Sequence, residues 1–302
     1  MTMTDIGLPD QATVTRCLEE ARRAMPQAHA PYSGWKVGAA LLAEDGTIYH
    51  GSNVETSTFE SGLCAERAAL ANAIAQGAAN AGPRFVRLVA ISMNKLASAN
   101  PQDIADTSPC GTCRQVIHDF ADPQRCCMVQ DDGKGGMGFS LGYLLPQGFR
   151  LSVTPRPPCP VDCAALEAEA AQPSSDLAAL ARRMSGNAAA HVNGYAEGAM
   201  IVSADGTAFG GASVENSNTQ LFIRALTAAA TRGVIGGQSG NFIRRIGLSL
   251  PERISAAHDF RTALNPSLLM EFTTPATEIT ILRGERERQT LSVAQVMSGF
   301  AE

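Results

Sequence analysis

Two parts of the chain share one succession of apolar and polar residues. In the first part, the apolar segment VGAALLAE is followed by an Asp-Gly pair and a second short segment. In the second part, GAMIVSA is followed by the same succession. An Asp-Gly pair between two apolar segments is typical of the turn of a β-hairpin. The alanine-rich stretches that follow, CAERAALANAIAQGA and RALTAAATRGV, predict a helix in each part.

Each part then continues with the same alternation of elements. A strand (FVRLVAIS or FIRRIGLSL) precedes a helix that ends in HDF or MEF, and a further strand (CCMVQ or TEITIL) precedes a closing segment (LLPQGF or QVMSGF). Strands that alternate with helices indicate a layered α/β sheet. The pattern therefore predicts an α/β fold in both parts.

An offset of 160 residues brings the two parts into register without a gap. Over the 36 positions that begin at Gly34 and Gly194, 13 are identical, which indicates an internal duplication. Between the copies, TPRPPCPVDCAALEAEAAQPSSD is rich in proline and then in alanine and acidic residues, which favours a linker with one short helix. We therefore predict domains at residues 1–155 and 186–302, joined by a linker at 156–185.

Length, composition and charge agree with two domains and restrict the kinds of partner that these domains are expected to bind. A chain of 302 residues is too long for one ordinary core, and 45% hydrophobic with 18% charged residues fits a compact α/β protein. No apolar run approaches the roughly 20 residues that span a membrane, and the N-terminus lacks the layout of a signal peptide, so we expect a cytoplasmic protein without a membrane partner. The net charge of −5, without a cluster of lysine and arginine, argues against nucleic acid as a partner.

Four residues of the first copy have the spacing of a metal centre. Cys64 and Glu66 stand two residues apart at the predicted start of a helix, and Cys110 and Cys113 stand three apart in SPCGTCRQVIHDF. Side chains three apart share a face of a helix, and the positive end of the helix dipole favours the thiolate form that binds metal. A chain of this size needs no disulfides, which leaves these cysteines free to bind zinc.

The predicted centre has the composition of a catalytic zinc site, because three thiolates leave one position of a tetrahedral ion open. Zinc lowers the pKa of water in that position to about 7 and so supplies hydroxide at neutral pH. Glu66 need not bind the metal, since a carboxylate beside it can take the proton from the water and deliver it to the substrate. The order C-x-E and then P-C-x-x-C is the signature of zinc deaminases of nucleosides and nucleobases, with Cys replacing His at the first position.

Four segments resemble, in order, the successive motifs of the cytidine deaminase family. They are PYSGWKVGAALL, GSNVETSTFESGLCAERAAL, SPCGTCRQVIHDF and LGYLLPQGF, and they extend over most of residues 31–149. The resemblance implies a three-layer α/β/α sandwich with a mixed β-sheet, here present twice. It also implies zinc-dependent, hydrolytic removal of the 4-amino group from cytidine and 2′-deoxycytidine, in pyrimidine salvage.

Carried over by position, the resemblance assigns the metal centre. Cys64, Cys110 and Cys113 match the zinc ligands, and Glu66 matches the proton shuttle. Arg67 matches an arginine that hydrogen-bonds the ligand sulfurs. Three thiolates on Zn²⁺ leave a net charge of about −1, which makes the bound water less acidic, and a nearby guanidinium offsets part of that charge.

The resemblance also assigns the substrate contacts. Asn53 and Glu55 match contacts to the ribose hydroxyls, and Ala65 matches a residue whose backbone contacts the base. Trp35 stands where the family usually has a phenylalanine beside the base, and Thr56 stands where it commonly has asparagine. The bulkier ring of Trp35 is expected to reshape the pocket.

The second copy lacks the ligands, so we expect one zinc ion per chain. Residues at the positions of Asn53, Cys64, Glu66, Cys110 and Cys113 are Ser213, Arg224, Leu226, Thr262 and Asn265. In short members of the family a neighbouring subunit completes each site, including a phenylalanine near the C-terminus that corresponds here to Phe149 and Phe300. We therefore expect the second copy to act as a built-in neighbour, and a homodimer to form a pseudo-tetramer.

Two other functions remain open at this point. One is a deaminase of the same fold that acts on another aminopyrimidine nucleoside or a nucleoside antibiotic, for which Trp35 and Thr56 argue. The other is a non-catalytic binding protein that keeps the fold. The sequence does not rank cytidine against deoxycytidine, and it assigns no role to the C-x3-C pair Cys159 and Cys163.

Overall fold

The structure is a computed structural model, and it describes residues 9–58, 61–82, 84–94, 107–151, 159–252, 263–284 and 287–298. The helices of the first half are α1 (Gln11–Ala24), α2 (Ala65–Ala75), α3 (Gly111–Phe120) and α4 (Leu141–Leu144). Its strands are β1 (Val37–Ala43), β2 (Ile48–Ser52), β3 (Val86–Met93), β4 (Cys127–Gln130) and β5 (Met137–Ser140). They form a mixed sheet in the order β2-β1-β3-β4-β5, in which β3 and β4 are parallel and the other neighbours antiparallel.

The second half repeats this topology. Its helices are α5 (Cys163–Ala170), α6 (Leu177–Met184), α7 (Ala225–Ile235), α8 (Pro266–Phe272) and α9 (Val293–Ser298). Its strands are β6 (Gly198–Ser203), β7 (Ala208–Ala212), β8 (Ile243–Leu250), β9 (Glu278–Arg283) and β10 (Glu287–Ser292). The sheet order is β7-β6-β8-β9-β10, with β8 and β9 parallel and the other neighbours antiparallel. None of the helices in the described ranges is both long and apolar enough to cross a lipid bilayer.

Both predicted hairpins are present. In the first, an oxygen of Asp45 accepts a hydrogen bond from the backbone nitrogen of Thr47 at 2.9 Å. In the second, Asp205 and Thr207 make the same bond at 2.9 Å. The aspartate therefore closes each turn through its own side chain, as this residue type commonly does.

Helices cover both faces of the first sheet. Alternate residues of a strand point to opposite faces. Ala40 and Leu42 of β1 accordingly pack in an apolar cluster with α1, whereas Ala39 and Leu41 pack in a cluster with α2. The first half thus has helix, sheet and helix layers.

The second sheet is covered in the same way. Met200 and Val202 of β6 pack in a cluster with α6, and Ala199 and Ile201 pack in a cluster with α7. In this arrangement α6 takes the place that α1 has in the first half. Residues 177–184, which the composition assigned to a linker, are therefore part of the second layered unit.

The region predicted as a linker contains two helices, where its composition favoured one. An oxygen of Asp162 accepts from the backbone nitrogen of Ala165 at 3.1 Å, and Asp176 accepts from Ala179 at 3.1 Å. Aspartate in this position satisfies a free N–H group at a helix start. The two N-caps and the buried leucines Leu166 and Leu180 stabilise helices that the prolines of the segment obscured.

The two halves are in direct contact. One cluster of buried apolar residues contains side chains of α2 and of α6. Nδ2 of Asn187 donates to the backbone oxygen of Ala75 at 2.8 Å, and Nε of Arg232 donates to Oδ1 of Asn72 at 3.1 Å. The helix that begins at the predicted metal centre is therefore held from the second half as well as from its own sheet.

Candidate active site

Two helix N-termini of the first half bring three cysteine side chains together. Cys64 immediately precedes α2, and Cys110 immediately precedes α3. The Sγ of Cys110 accepts a hydrogen bond from the backbone nitrogen of Cys113 at 3.4 Å. Free N–H groups and the dipole at a helix start favour negative charge there, and thiolate is the form that binds metal.

The three sulfur atoms fit a zinc ion. The Sγ atoms of Cys64 and Cys110 are 4.0 Å apart, those of Cys110 and Cys113 are 3.3 Å apart, and all three lie within 4.8 Å of one another. Sulfurs on a tetrahedral zinc ion are about 3.8 Å apart, because each Zn–S bond is about 2.3 Å long. All three thiols are free of disulfides. In the part of the chain that the structure describes, no other group of three His, Cys, Asp or Glu side chains lies so close together.

Hydrogen bonds among the three thiols give them different pKa values. Hydrogen bonding with Cys113 and Cys64 lowers the pKa of Cys110 to about 2. The bond to Cys110 raises the pKa of Cys64 to about 11, and bonds to Cys110 and Cys64 raise the pKa of Cys113 well above its ordinary value. A bound cation replaces the protons of such thiols, because metal ligation requires thiolate.

A carboxylate and a guanidinium flank the sulfurs. Glu66 lies in the first turn of α2 and is 5% exposed, and burial raises the pKa of its carboxyl group. Arg67 donates from Nη2 to the backbone oxygen of Gly62 at 3.2 Å. Burial alone would lower the pKa of Arg67, but attraction to Cys113 and Cys64 in their thiolate form raises it. The sulfurs therefore have a proton acceptor and a compensating cation beside them.

A cavity of about 260 Å³ opens onto this cluster. Seven of the residues that the sequence singled out line it, namely Trp35, Asn53, Glu55, Cys64, Ala65, Glu66 and Cys110. Sequence reasoning did not identify Ser33, Val37, Ile91, Met93, Thr107 and Ser108, which also line it. Three of these residues stand within or beside quoted motifs: Ser33 and Val37 lie in PYSGWKVGAALL, and Ser108 directly precedes P-C-x-x-C.

Glu55 holds the loop that forms one wall of the cavity. The backbone nitrogens of Tyr32 and Ser33 each donate to Oε2 of Glu55 at 3.1 Å, and the Ser33 hydroxyl donates to Oε1. In the second half, Glu215 accepts from the matching loop, through the backbone nitrogens of Val192, Asn193 and Tyr195. The glutamate therefore has a structural role in both halves.

Asn53 fixes the position of Trp35. Its Oδ1 accepts from the backbone nitrogen of Val37 at 2.8 Å, and its Nδ2 donates to the backbone oxygen of Trp35 at 2.9 Å. Nε1 of Trp35 approaches Sδ of Met93 at 3.3 Å, and the residue is 39% exposed. The indole thus forms part of the cavity wall and remains in contact with solvent.

Phe149 is not among the residues that line this cavity. Phe149 is 54% exposed, and its backbone pairs with Gln115, whose Nε2 donates to the Phe149 oxygen at 2.7 Å. Phe300 lies outside the described residues, as does Thr262. A role for either phenylalanine at a cavity stays a prediction.

At the matching position of the second half, an ion pair stands in place of the sulfurs. Nη1 of Arg224 lies 2.5 Å from Oε1 of Glu197, whose side chain is fully buried. The guanidinium carbon also lies 5.0 Å from the ring centroid of Phe222 and 5.9 Å from that of Tyr195. Asn265 instead caps α8 and donates to the Thr227 hydroxyl at 3.2 Å. A cation therefore occupies the position that a ligand sulfur has in the first half.

Comparison with known proteins agrees with the geometry. The family model for the cytidine and deoxycytidylate deaminase zinc-binding region matches residues 11–129. A cytidine deaminase of Sporosarcina psychrophila is 43% identical over 111 residues, which are 35% of this chain and 69% of the relative. The cytidine deaminase of Mycoplasma genitalium is 30% identical over 135 residues, which are 45% of this chain and 94% of the relative.

Among solved structures, the cytidine deaminase from Burkholderia pseudomallei is 36% identical, with a TM-score of 0.37, and the match covers 45% of this chain and 98% of that one. Both of these curated relatives are matched over more than two thirds of their own length at 30% identity or more. Together with the three-sulfur cluster, the matches to these two curated relatives show that the chain belongs to the cytidine deaminase family.

Proposed function

We propose that the chain catalyses the zinc-dependent hydrolytic deamination of cytidine and 2′-deoxycytidine to uridine and 2′-deoxyuridine, as a step of pyrimidine salvage. The observation that carries this proposal is the meeting of three free thiols with the buried Glu66 at the end of one cavity. The cavity is about 260 Å³, close to the lower end of the range typical of small-molecule sites. The names of the matched relatives agree with the same reaction.

In this proposal Cys64, Cys110 and Cys113 hold the zinc ion. When bound, zinc lowers the pKa of water to about 7 and so supplies hydroxide at neutral pH. Glu66 would take a proton from the attacking water and deliver the released protons to N3 of the base and to the 4-amino nitrogen, so that oxygen replaces nitrogen on C4 and the amino group leaves as ammonia. Burial favours this role, since it raises the affinity of the carboxylate for a proton.

The substrate is bound along the cavity wall. Trp35 is placed beside the base, and the backbone of Ala65 contacts it. Glu55 recognises a ribose hydroxyl, and Asn53 acts with it by holding the backbone at Trp35. Arg67 offsets the negative charge of the sulfurs, in agreement with its raised pKa.

The test is turnover and zinc content, measured on one sample. Purified protein should contain about one zinc per chain, and the absorbance of cytidine should fall with time in its presence. Glu66→Gln should retain zinc and lower kcat at least about 100-fold, because the proton transfer is lost. Turnover that survives in Glu66→Gln, or protein that binds cytidine without converting it, would favour the non-catalytic binding protein instead.

A second candidate keeps the chemistry and changes the substrate. Trp35 lines the cavity in place of the usual phenylalanine and approaches Met93, so the space beside the base differs in shape. Thr56, the other departure, is fully buried and not part of the cavity wall. Side-by-side turnover of cytidine, deoxycytidine, cytosine and CMP separates the two, because a deaminase of a modified nucleoside would be slow with all four.

We also propose that the chain arose by duplication of one deaminase domain. The equal strand order of the two sheets and the gapless repeat support it. In this proposal residues 1–155 form the catalytic domain, and residues 186–302 form a degenerate domain that binds no zinc. Helix α6 belongs with the degenerate domain, which shortens the linker predicted at 156–185.

Two chains are proposed to form a homodimer equivalent to a tetramer of short subunits. The exposure of Phe149 supports this, because an aromatic ring on the surface is available to a second chain. Light scattering on the full chain gives the mass directly, and a monomer at micromolar concentration would contradict the proposal. A cytoplasmic location fits the eight cysteines, all of which are free.

A further inference from the structure

Glu271, in α8 of the second half, makes two hydrogen bonds to the first half. Nε2 of His29 lies 2.7 Å from its Oε1, and the hydroxyl of Tyr32 donates to its Oε2 at 2.7 Å. The side chains of His29 and Glu271 are 21% and 15% exposed, so their contact is largely shielded from water, whereas Tyr32 is 47% exposed. One carboxylate of the degenerate copy thus binds two points of one loop in the catalytic copy.

That loop, residues 29–35, also forms part of the cavity. At its beginning, the backbone of His29 exchanges hydrogen bonds with Asn53 and Glu55, at 3.0 and 2.9 Å. In its middle, Glu55 accepts from the backbone of Tyr32 and Ser33. At its end, Ser33 and Trp35 line the cavity. The loop therefore connects Glu271 to the residues proposed to contact the nucleoside, over a distance of a few residues.

A reverse contact, in which a carboxylate of the first half binds the second half, shows by comparison what is particular to Glu271. Asp119, in α3 of the first half, accepts from the backbone nitrogen of Ser217 at 2.5 Å and from its hydroxyl at 3.0 Å. Its Oδ2 also lies 3.5 Å from Nε2 of His191. Among the described residues, each half therefore places a carboxylate against the corresponding region of the other. Only the contact of Glu271 reaches a loop that lines the sulfur-containing cavity.

We infer that Glu271 is a positioning residue for the nucleoside site: it holds the loop of residues 29–35 so that Glu55 and Trp35 face the substrate. The expected effect of Glu271 on the kinetics rests on the proposed function. Its expected effect on the position of the loop does not depend on that function. It gives the degenerate copy a defined task in the catalytic cycle beyond packing. The first half, without this carboxylate, keeps its zinc ligands but loses an anchor for the substrate wall.

The structural consequence is measured through Trp35, the one tryptophan of the 302 residues. In Glu271→Ala the loop loses both of its hydrogen bonds to Glu271. The emission of Trp35 should therefore shift to longer wavelength, and acrylamide should quench it about twice as efficiently. Glu271→Gln, whose amide still accepts from Tyr32, should remain close to the unmodified protein. Unchanged emission and quenching in Glu271→Ala, with the fold intact by circular dichroism, would overturn the inference.

The kinetic consequence separates positioning from general loosening. Glu271→Ala should raise KM for cytidine about tenfold and leave kcat within about twofold, because the affected contacts are made equally to substrate and transition state. In a Glu55→Gln background the same change should raise KM by less than about twofold, since both act on one contact. Ser217→Ala, which weakens the reverse contact, should leave KM unchanged.

Two results would contradict the kinetic part. The first is an equal rise of KM in Ser217→Ala, which would show that any weakening of the interface suffices. The second is a full tenfold effect of Glu271→Ala in the Glu55→Gln background. If the unmodified protein does not convert cytidine, the proposed function fails, but the Trp35 measurements still decide whether Glu271 holds the loop.

Discussion

Gly51 of β2 lies so close to Ala69 of α2 that a Cβ atom on the glycine would be 2.2 Å from the backbone nitrogen of the alanine. The contact packs α2, which begins directly after Cys64, tightly against the hairpin. It thereby fixes the depth at which Cys64 and Glu66 stand over the cavity. The second half has the same relationship, between Gly211 and the backbone nitrogen of Ala229, at 2.4 Å.

The first prediction concerns this contact. Gly51→Ala should destabilise the protein by about 3 kcal/mol or more, because a methyl group cannot be fitted without moving a backbone. It should also lower the zinc content, since α2 has to shift with Cys64. Urea denaturation and metal analysis measure the two effects.

Gly211→Ala is the matched control for the first prediction. It should cost a similar free energy of unfolding, because the crowding against α7 is of the same kind. It should leave the zinc content near one per chain, because α7 carries no ligand. Equal loss of zinc in both variants would show that the contact supports the fold as a whole and not the metal centre.

The second prediction compares two cysteines. Cys110→Ser should lower the zinc content of the purified protein to less than about one tenth, because a hydroxyl is a far poorer zinc ligand than a thiolate. Cys126→Ser should retain zinc, since this thiol is buried in the core and burial raises its pKa, which disfavours thiolate. Metal analysis of both variants tests the assignment, and zinc retained in Cys110→Ser would refute it.

The third prediction concerns acid. Burial alone would raise the pKa of Asp119, but hydrogen bonds from His191 and Ser217 outweigh it and lower the pKa. Arg150 lies 4.0 Å away and favours the same direction. A lowered pKa in the folded state means that the contribution to stability is complete above the unfolded value of about 3.9 and is lost as the pH falls through the folded value.

The difference in unfolding free energy between the parent protein and Asp119→Asn should therefore shrink as the pH falls from about 5 to about 3. Both are best compared in a Cys110→Ser background, where acid release of zinc makes no contribution. A difference that stays constant over this range would show that the charge of Asp119 is not what stabilises the contact.

The fourth prediction concerns the ion pair of the second half. Arg224→Ala should destabilise the protein by about 3–5 kcal/mol, because it leaves the fully buried Glu197 without its cation. Glu197→Gln in the same chain should recover part of that loss. Arg183→Ala, which breaks a pair with Glu169 that is more than half exposed, should cost less than about 1 kcal/mol. Chemical denaturation of the four proteins checks this order.

Local signals in the sequence were sufficient for much of the fold and of the metal centre. The Asp-Gly pairs predicted both hairpins because this turn is closed by contacts within a few residues. The spacing of Cys64, Cys110 and Cys113 predicted the cluster because two helix starts determine where these sulfurs stand.

Other features depend on contacts that no local pattern encodes. Strand β5 follows a glycine-rich stretch and shows no clear alternation, so its pairing with β4 was not predicted. Glu271 lies more than 200 residues from Tyr32, and only the packing of the two halves brings them together. The hydrogen bonds from the Asn53 side chain to the backbone were likewise missed. The sequence does not show whether an asparagine side chain binds the neighbouring backbone or a ligand.

The salt bridge between Arg224 and Glu197 has an evolutionary consequence. Arg224→Cys would restore one sulfur, yet it would strand an anion in the apolar interior before any metal could compensate. In the proposed duplication, a second working centre would therefore have to arise through a less stable intermediate, and each further replacement at the ligand positions adds another step. Under that proposal the second half has no simple route to a metal centre, which confines selection for catalysis to the first half of the chain.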